Sequence, residues 1–242
     1  MSSPSAARCP GGARSDAGAS PGIGPVSLAD VSYDHILLPS GAASTPAEAD
    51  AYLTAQQGKP ESEVAAWIAA EVNRRNEELP EQDSFLSVAP VEAHGGALHV
   101  ASPYDAIGHV RALLFELATP RDYAVYDPQL AWLIDPAGHV PVTVTHGGAG
   151  EFPYLTETLV HQWVPTLSDP GPYLIVEREP EVYIQTFRDD ENSYILEYRD
   201  GSPNEHFGTR LTEPDRVADL IWDWTTGDHA RLEKLTWDKV DL

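Results

Sequence analysis

Two hydrophobic rhythms, one of about 3.6 residues and one of two, divide most of the chain into elements. Residues 31–38 (VSYDHILL) form a short apolar run ahead of a Pro-Ser-Gly loop and predict a first strand. Thr45-Pro46-Ala47-Glu48 sets a capping hydroxyl, a first-turn proline and a reciprocal carboxylate in helix-opening order, so a short helix should run to about Gln57. Over 60–79, Val64, Trp67, Ile68, Val72 and Leu79 recur at helical spacing, which leaves Glu61, Glu63, Glu71, Arg74, Arg75 and Glu78 in water. Residues 84–92 and 97–101 read as two strands of a hairpin around His94-Gly95-Gly96. Ser102-Pro103-Tyr104-Asp105 repeats the opening pattern, and Ile107, Val110, Leu113, Leu114 and Leu117 make the stripe of a helix that must stop before Pro120. Residues 123–126, 129–134 and 140–145 then read as strands.

The glycine-rich stretch 147–150 and the Asp169-Pro170-Gly171-Pro172 turn flank Leu155, Leu159 and Trp163, which predict a connecting helix. Four runs rich in aromatic and β-branched residues follow, at 173–177, 182–187, 193–199 and 206–211, separated by turn residues in the spacing of an antiparallel meander. Within 193–199, Tyr194, Leu196 and Tyr198 share one face and Ile195, Glu197 and Arg199 the other, and one of the two should be wetter. A last helix from near Thr212 carries Val217, Leu220, Ile221 and Trp224 on its stripe, with Asp215, Asp219 and Asp223 off it, and stops at Gly227. Leu232, Leu235, Trp237 and Val240 should dock back onto the body. The fold class expected is α+β: two modules, each a mostly antiparallel sheet packed with a few helices, after a disordered N-terminal tail. The divisions fall at 1–30 (tail), 31–150 (first module), 151–172 (connection) and 173–242 (second module).

Composition supports a folded chain, with 42% hydrophobic and 9% aromatic residues. Charge changes the picture more: 38 Asp and Glu against 15 Lys and Arg give a formal −23. Both halves share it, with 16 acidic and 5 basic residues over 31–150 and 20 and 8 over 151–242. Such a field repels phosphate backbones and anionic lipid and draws in a basic protein, so direct nucleic-acid or membrane binding is not expected. Plain solubility explains the same charge equally well. Cys9 has no intramolecular partner, and no Cys/His spacing matches a zinc site. The early residues lack the apolar core of a secretory signal and no stretch reaches membrane-span length, so a cytoplasmic protein is expected.

Candidate chemistry is thin. Gly18-Ala19-Ser20-Pro21-Gly22 matches a nucleophile elbow in letters only, because no strand enters it and no helix leaves it. His146-Gly147-Gly148-Ala149-Gly150 resembles an oxyanion loop but follows that elbow in the wrong order. The nine histidines include no helical His pair, although His139, His146 and Asp135 could meet in space around a metal. Paired carboxylates are too common in this chain to point anywhere, and no phosphate-binding glycine loop occurs. Neither a metal nor a cofactor is expected. Trp67, Trp163 and Trp224 fall on apolar faces and should fill core. Trp222 points away from Trp224, either as an exposed anchor for a partner or as packing for the C-terminal segment.

Residues of the second module carry a resemblance: Tyr183-Ile184-Gln185-Thr186, the run from Tyr194 to Pro203, His206-Phe207 and Ile221-Trp222-Asp223-Trp224. This region resembles the actinobacterial immunity proteins of polymorphic-toxin systems, specifically their first-numbered immunity family. The first module, through Arg111-Ala112-Leu113-Leu114 and Tyr126-Asp127-Pro128-Gln129, is similar to an uncharacterised domain of the same bacteria. The resemblance implies a non-enzymatic protein that binds and occludes a cognate toxin, basic and directed at nucleic acid. The residues expected to carry that contact are Asp189, Asp190, Glu191, Asp219, Trp222 and Asp223. Two alternatives stand beside it: a hydrolase using His139, His146 and Glu151, and an acidic scaffold without a toxin target.

Overall fold

The computed structural model describes residues 32–240. The expected N-terminal tail, with Cys9 and Ser20, lies outside the described residues. Two antiparallel sheets organise the rest, in an α+β arrangement.

The first sheet has the order β2-β3-β1-β4-β5 and is built from β1 (Tyr33–Pro39), β2 (Ala93–His94), β3 (Ala97–Ser102), β4 (Tyr123–Asp127) and β5 (Trp132–Ile134). Its central strands are buried on both faces, which is why β1 reads as a continuous apolar run. Ile36, Leu38, Ala124 and Tyr126 pack beneath α1 (Pro46–Gln56) in a small cluster. Leu37, Leu98, Val100 and Val125 face the other way, towards α2 (Glu63–Glu77) and α3 (Ile107–Ala118). The predicted cap of α1 forms: Thr45 Oγ1 accepts from the Glu48 amide at 3.2 Å. The Glu48 carboxylate returns to the Ser44 amide at 2.7 Å, one residue earlier than the usual reciprocal bond.

The second sheet has the order β12-β11-β10-β9-β8-β6-β7. Its strands are β6 (Val140–His146), β7 (Gly150–Leu155), β8 (Tyr173–Glu179), β9 (Val182–Asp190), β10 (Ser193–Asp200), β11 (His206–Leu211) and β12 (Asp238–Lys239). α4 (Glu157–Trp163) and α5 (Pro214–Thr226) pack on each other, and α5 lies across β8 to β11. The predicted stripe of α5 is buried in full, and Gly227 closes the helix at φ +82°.

Several expectations change. The hairpin around Gly95-Gly96 forms, but its first strand is only β2: backbone groups of Phe85 and Val91 bond to side chains of α2, while the Ser87 amide reaches the Ala101 carbonyl of β3 at 2.9 Å. Asn73 pairs with both the N–H and C=O of Val91, and Asn76 Oδ1 accepts from the Phe85 amide at 3.0 Å. Ser102 does not cap a helix; it ends β3, buried, with its hydroxyl 3.3 Å from the Tyr33 carbonyl. Trp67 is not core: it is 38% exposed, with the Arg121 guanidinium 3.3 Å above its ring. Residues 150–155 form the edge strand β7, where Pro153 costs no ladder bond.

The division at 151–172 also falls elsewhere in the structure. The β6–β7 hairpin crosses that boundary and belongs to the second sheet, through pairing of β6 with β8. One buried cluster runs from Leu37 to Leu232 across both sheets, beside the smaller cluster under α1, and the described residues form one unit. At the seam, the Gly147 amide donates to the Tyr173 carbonyl at 2.9 Å, and a Cβ at Gly147 would strike the backbone of Gly171. Gly147→Ala should therefore destabilise the fold by about 1–3 kcal/mol, read as a lower urea midpoint. Gly138→Ala, with open space around it but φ +69°, separates backbone strain from this clash.

Candidate partner-binding face

Strand alternation gives the second sheet two unlike faces. Leu174, Val176, Ile184, Tyr194 and Leu196 point inward and are buried with α5. No helix among the described residues covers the opposite face, and cross-strand register arranges it in rows. The first row is Tyr173, Phe187, Ile195 and Arg210; the second is Ile175, Gln185, Glu197 and Gly208; the third is Glu177, Tyr183, Arg199 and His206. Tyr173 and Phe187 are 36% and 43% exposed and stand side by side across the β8–β9 ladder. Together with Ile175, Gln185, Ile195 and Glu197 they line a depression of about 340 Å³.

Beside this apolar patch the polar rows are tied together. Glu197 accepts from Gln185 Nε2 at 2.7 Å and lies 3.3 Å from His206 Nε2. His206 is buried under the end of the chain, where the Val240 amide donates to its carbonyl. Arg199 pairs with Glu181 and also approaches the Tyr183 ring. Burial pushes the Tyr183 hydroxyl up, so that phenol stays neutral. Acidic residues border the patch, with Glu151 and Glu177 on one side and Asp189, Asp190 and Glu191 at the β9–β10 turn on another.

The six residues expected to form the contact are not brought together. Asp189, Asp190 and Glu191 stand at the end of the open face. Asp189 is held by Arg210, whose hydrogen bond keeps its carboxyl below the usual carboxylate range. Asp190 and Glu191 are exposed with no ion-pair partner among the described residues. Asp219, Trp222 and Asp223 lie on α5, on the other side of the sheet. Arg231 bridges Asp219 at 2.6 Å and Asp223 at 2.5 Å, His161 adds a contact to Asp219 at 3.3 Å, and Asp223 is buried. Trp222 is half-buried and packs against the core. The aromatic and aliphatic centre of the face, Tyr173, Ile175 and Phe187, escaped the sequence reading. Alternation within each strand was visible, but register between strands was not.

No family model, curated protein or solved structure matches the chain. Its chemistry is therefore read from its own geometry.

The residues considered for catalysis separate. His139 and Glu151 line a groove of about 530 Å³ between α3 and the β6–β7 edge, with Phe115 and Tyr154. His146 does not line that groove: it is buried, with its ring 4.8 Å from Trp132, and its Nδ1 accepts from the Gly148 amide at 3.1 Å. The glycine stretch after it is the β6–β7 hairpin loop, and the Ala149 carbonyl accepts from Arg111. Among the described residues, no three His, Cys, Asp or Glu side chains stand close enough to hold a metal ion. No helix among them is long and apolar enough to cross a membrane.

The two motifs that carried the first module's resemblance meet in space. Arg111 from α3 lies 3.3 Å from Asp127 at the end of β4, and both are buried. Tyr33 donates to the same carboxylate oxygen at 2.5 Å, and Asp127 Oδ1 accepts from the Leu130 amide at 3.1 Å. His35 sits alongside, fully buried, with neither ring nitrogen hydrogen-bonded. Through Ala149, Arg111 links this network under the first sheet to a loop of the second.

Proposed function

We propose that this is a non-enzymatic binding protein that occludes a basic protein partner, in the manner of an immunity protein facing its toxin. The observation that supports it is the open face of the second sheet: an exposed apolar centre inside an acidic border. Desolvated aromatic side chains supply affinity at such a patch, while surrounding charge supplies steering and selects a partner of opposite sign. The 15 cations are outnumbered by 38 carboxylates, and Arg199, Arg210 and Arg231 each already serve carboxylates of the protein itself. The residual surface is therefore strongly negative, in keeping with the net −23.

The test is an affinity capture from lysate of the source organism at low and high salt, run with the wild type, with Phe187→Ala and with Asp190→Asn/Glu191→Gln. A basic protein should be recovered. Phe187→Ala should lower its affinity about tenfold, as expected for a central anchor, and the acidic-turn variant should slow its association and flatten the salt dependence. Expressed alone the captured protein should arrest growth, and co-expression with this chain should relieve the arrest. Capture indifferent to both variants, a harmless partner, or no basic partner at low salt would sink the reading.

A further inference from the structure

A second surface feature lies apart from the open face, where β10 ends beneath α5 and the C-terminal segment. A cavity of about 390 Å³ opens there, walled by the rings of Tyr198, Trp224 and Trp237, with Asp200 and Glu233 in its lining. The Tyr198 and Trp237 rings meet edge to face at 4.8 Å and 87°. Trp237 is fixed by its Nε1, which donates to the Leu232 carbonyl at 3.0 Å. Trp224 is anchored in the core stripe of α5, and its ring already carries a cation: the Arg178 guanidinium stands 3.9 Å from the ring centroid. Asp200 and Glu233 are exposed, and neither joins an ion pair among the described residues.

These features select one class of ligand. Aromatic faces present negative potential but no lone pairs suited to a metal, so they favour a diffuse organic cation over a hard one. Asp200 and Glu233 outnumber the one arginine of the lining, Arg178, and this excess of negative charge favours a cation over a neutral apolar molecule. Arg178, exposed and itself part of the lining, demonstrates the mode of contact on the Trp224 ring. We propose that this aromatic cavity is a receptor site for an organic cation, either a guanidinium or an alkylated ammonium group. The site stands independently of the sheet-face reading, because its walls come from the inward-facing side of β8 and β10, from α5 and from the C-terminal segment.

The test uses the full chain and small probes, with no partner protein needed. Choline and N-acetylarginine methylamide are titrated by calorimetry at low salt, each beside an uncharged isostere. At least one cation should bind saturably while its isostere does not. Preference for the arginine derivative assigns a protein side chain as the natural occupant, and preference for choline assigns a free quaternary ammonium. Asp200→Asn/Glu233→Gln, both at exposed positions, should weaken the cation about threefold or more without shifting the melting temperature. Trp237→Phe, which keeps an aromatic wall, should weaken it less than Trp237→Leu. Absence of saturable binding by either cation, equal binding of an isostere, or unchanged affinity in the double carboxamide variant would overturn the proposal. None of these outcomes bears on whether Phe187 anchors a protein partner, so the two readings fail separately.

Discussion

Lowering the pH from 7.5 to 4.5 should remove several kcal/mol of folding stability through two buried histidines. Burial lowers the pKa of His146 to about 4, and the nearby Arg111 cation acts in the same direction. Burial likewise pushes His35 down, against the opposing pull of Asp127 and Asp34. Both folded-state values lie below the ordinary value of 6.5, so between these limits the unfolded chain binds more protons than the folded one. The stabilisation is complete above about pH 6.5 and is lost as the pH falls towards 4, by about 3 kcal/mol for His146 alone. His35 adds to this with the same sign. Acid also relieves self-repulsion as the chain nears its pI of 4.5, which opposes the trend. The clean readout is therefore the difference in urea stability between wild type and His146→Phe across the range. The variant should lose less stability than the wild type between pH 6.5 and 4.5. Equal slopes would show that His146 does not titrate in this way.

The second large effect concerns the Arg111–Asp127 pair. Both side chains are buried, and Asp127 also accepts from Tyr33 and Leu130, so removing either member strands a charge in a poorly solvated space. Arg111→Met and Asp127→Asn should each cost about 3–5 kcal/mol, measured by denaturant unfolding. The double variant should cost clearly less than the sum, because it leaves no uncompensated charge behind. Arg111→Met should in addition speed amide exchange in the β6–β7 loop, whose Ala149 carbonyl loses its donor. Single costs below about 1 kcal/mol that simply add would mean that solvent reaches the pair.

The network explains how two sheets behave as one unit. Arg111 belongs to the packing of the first sheet yet bonds to a loop of the second, and Trp163 from α4 stacks on both Trp132 and Phe152. A cut at the expected boundary would pass through this contact region. Buried ion pairs contribute modestly to net stability, but their geometry admits few alternatives, and this one sets how α3 and the β6–β7 loop meet. The face proposed for partner binding is the outer side of the second sheet: α5, with α4 against it, packs on the inner side, and no helix among the described residues covers the outer one.

Local pattern was enough to determine much of this protein. The stripes of α3 and α5, the cap at Thr45, the stop at Gly227 and the four meander strands follow from spacing alone, because helix and strand periods act over a few residues. The α+β class and the acidic character were legible for the same reason. What the tertiary structure decided is whatever depends on residues distant in sequence. Residues 84–91 became an irregular link, because two asparagines of α2 took up backbone groups of Phe85 and Val91. Trp67 became a surface ring because Arg121 met it from outside the helix. Asp219 and Asp223, expected at the partner contact, were claimed by Arg231, while Asp190 and Glu191 have no ion-pair partner among the described residues. Composition sets how many charges and rings a chain carries; only the register between strands and the packing of helices decides which of them are spent inside the fold and which face a partner.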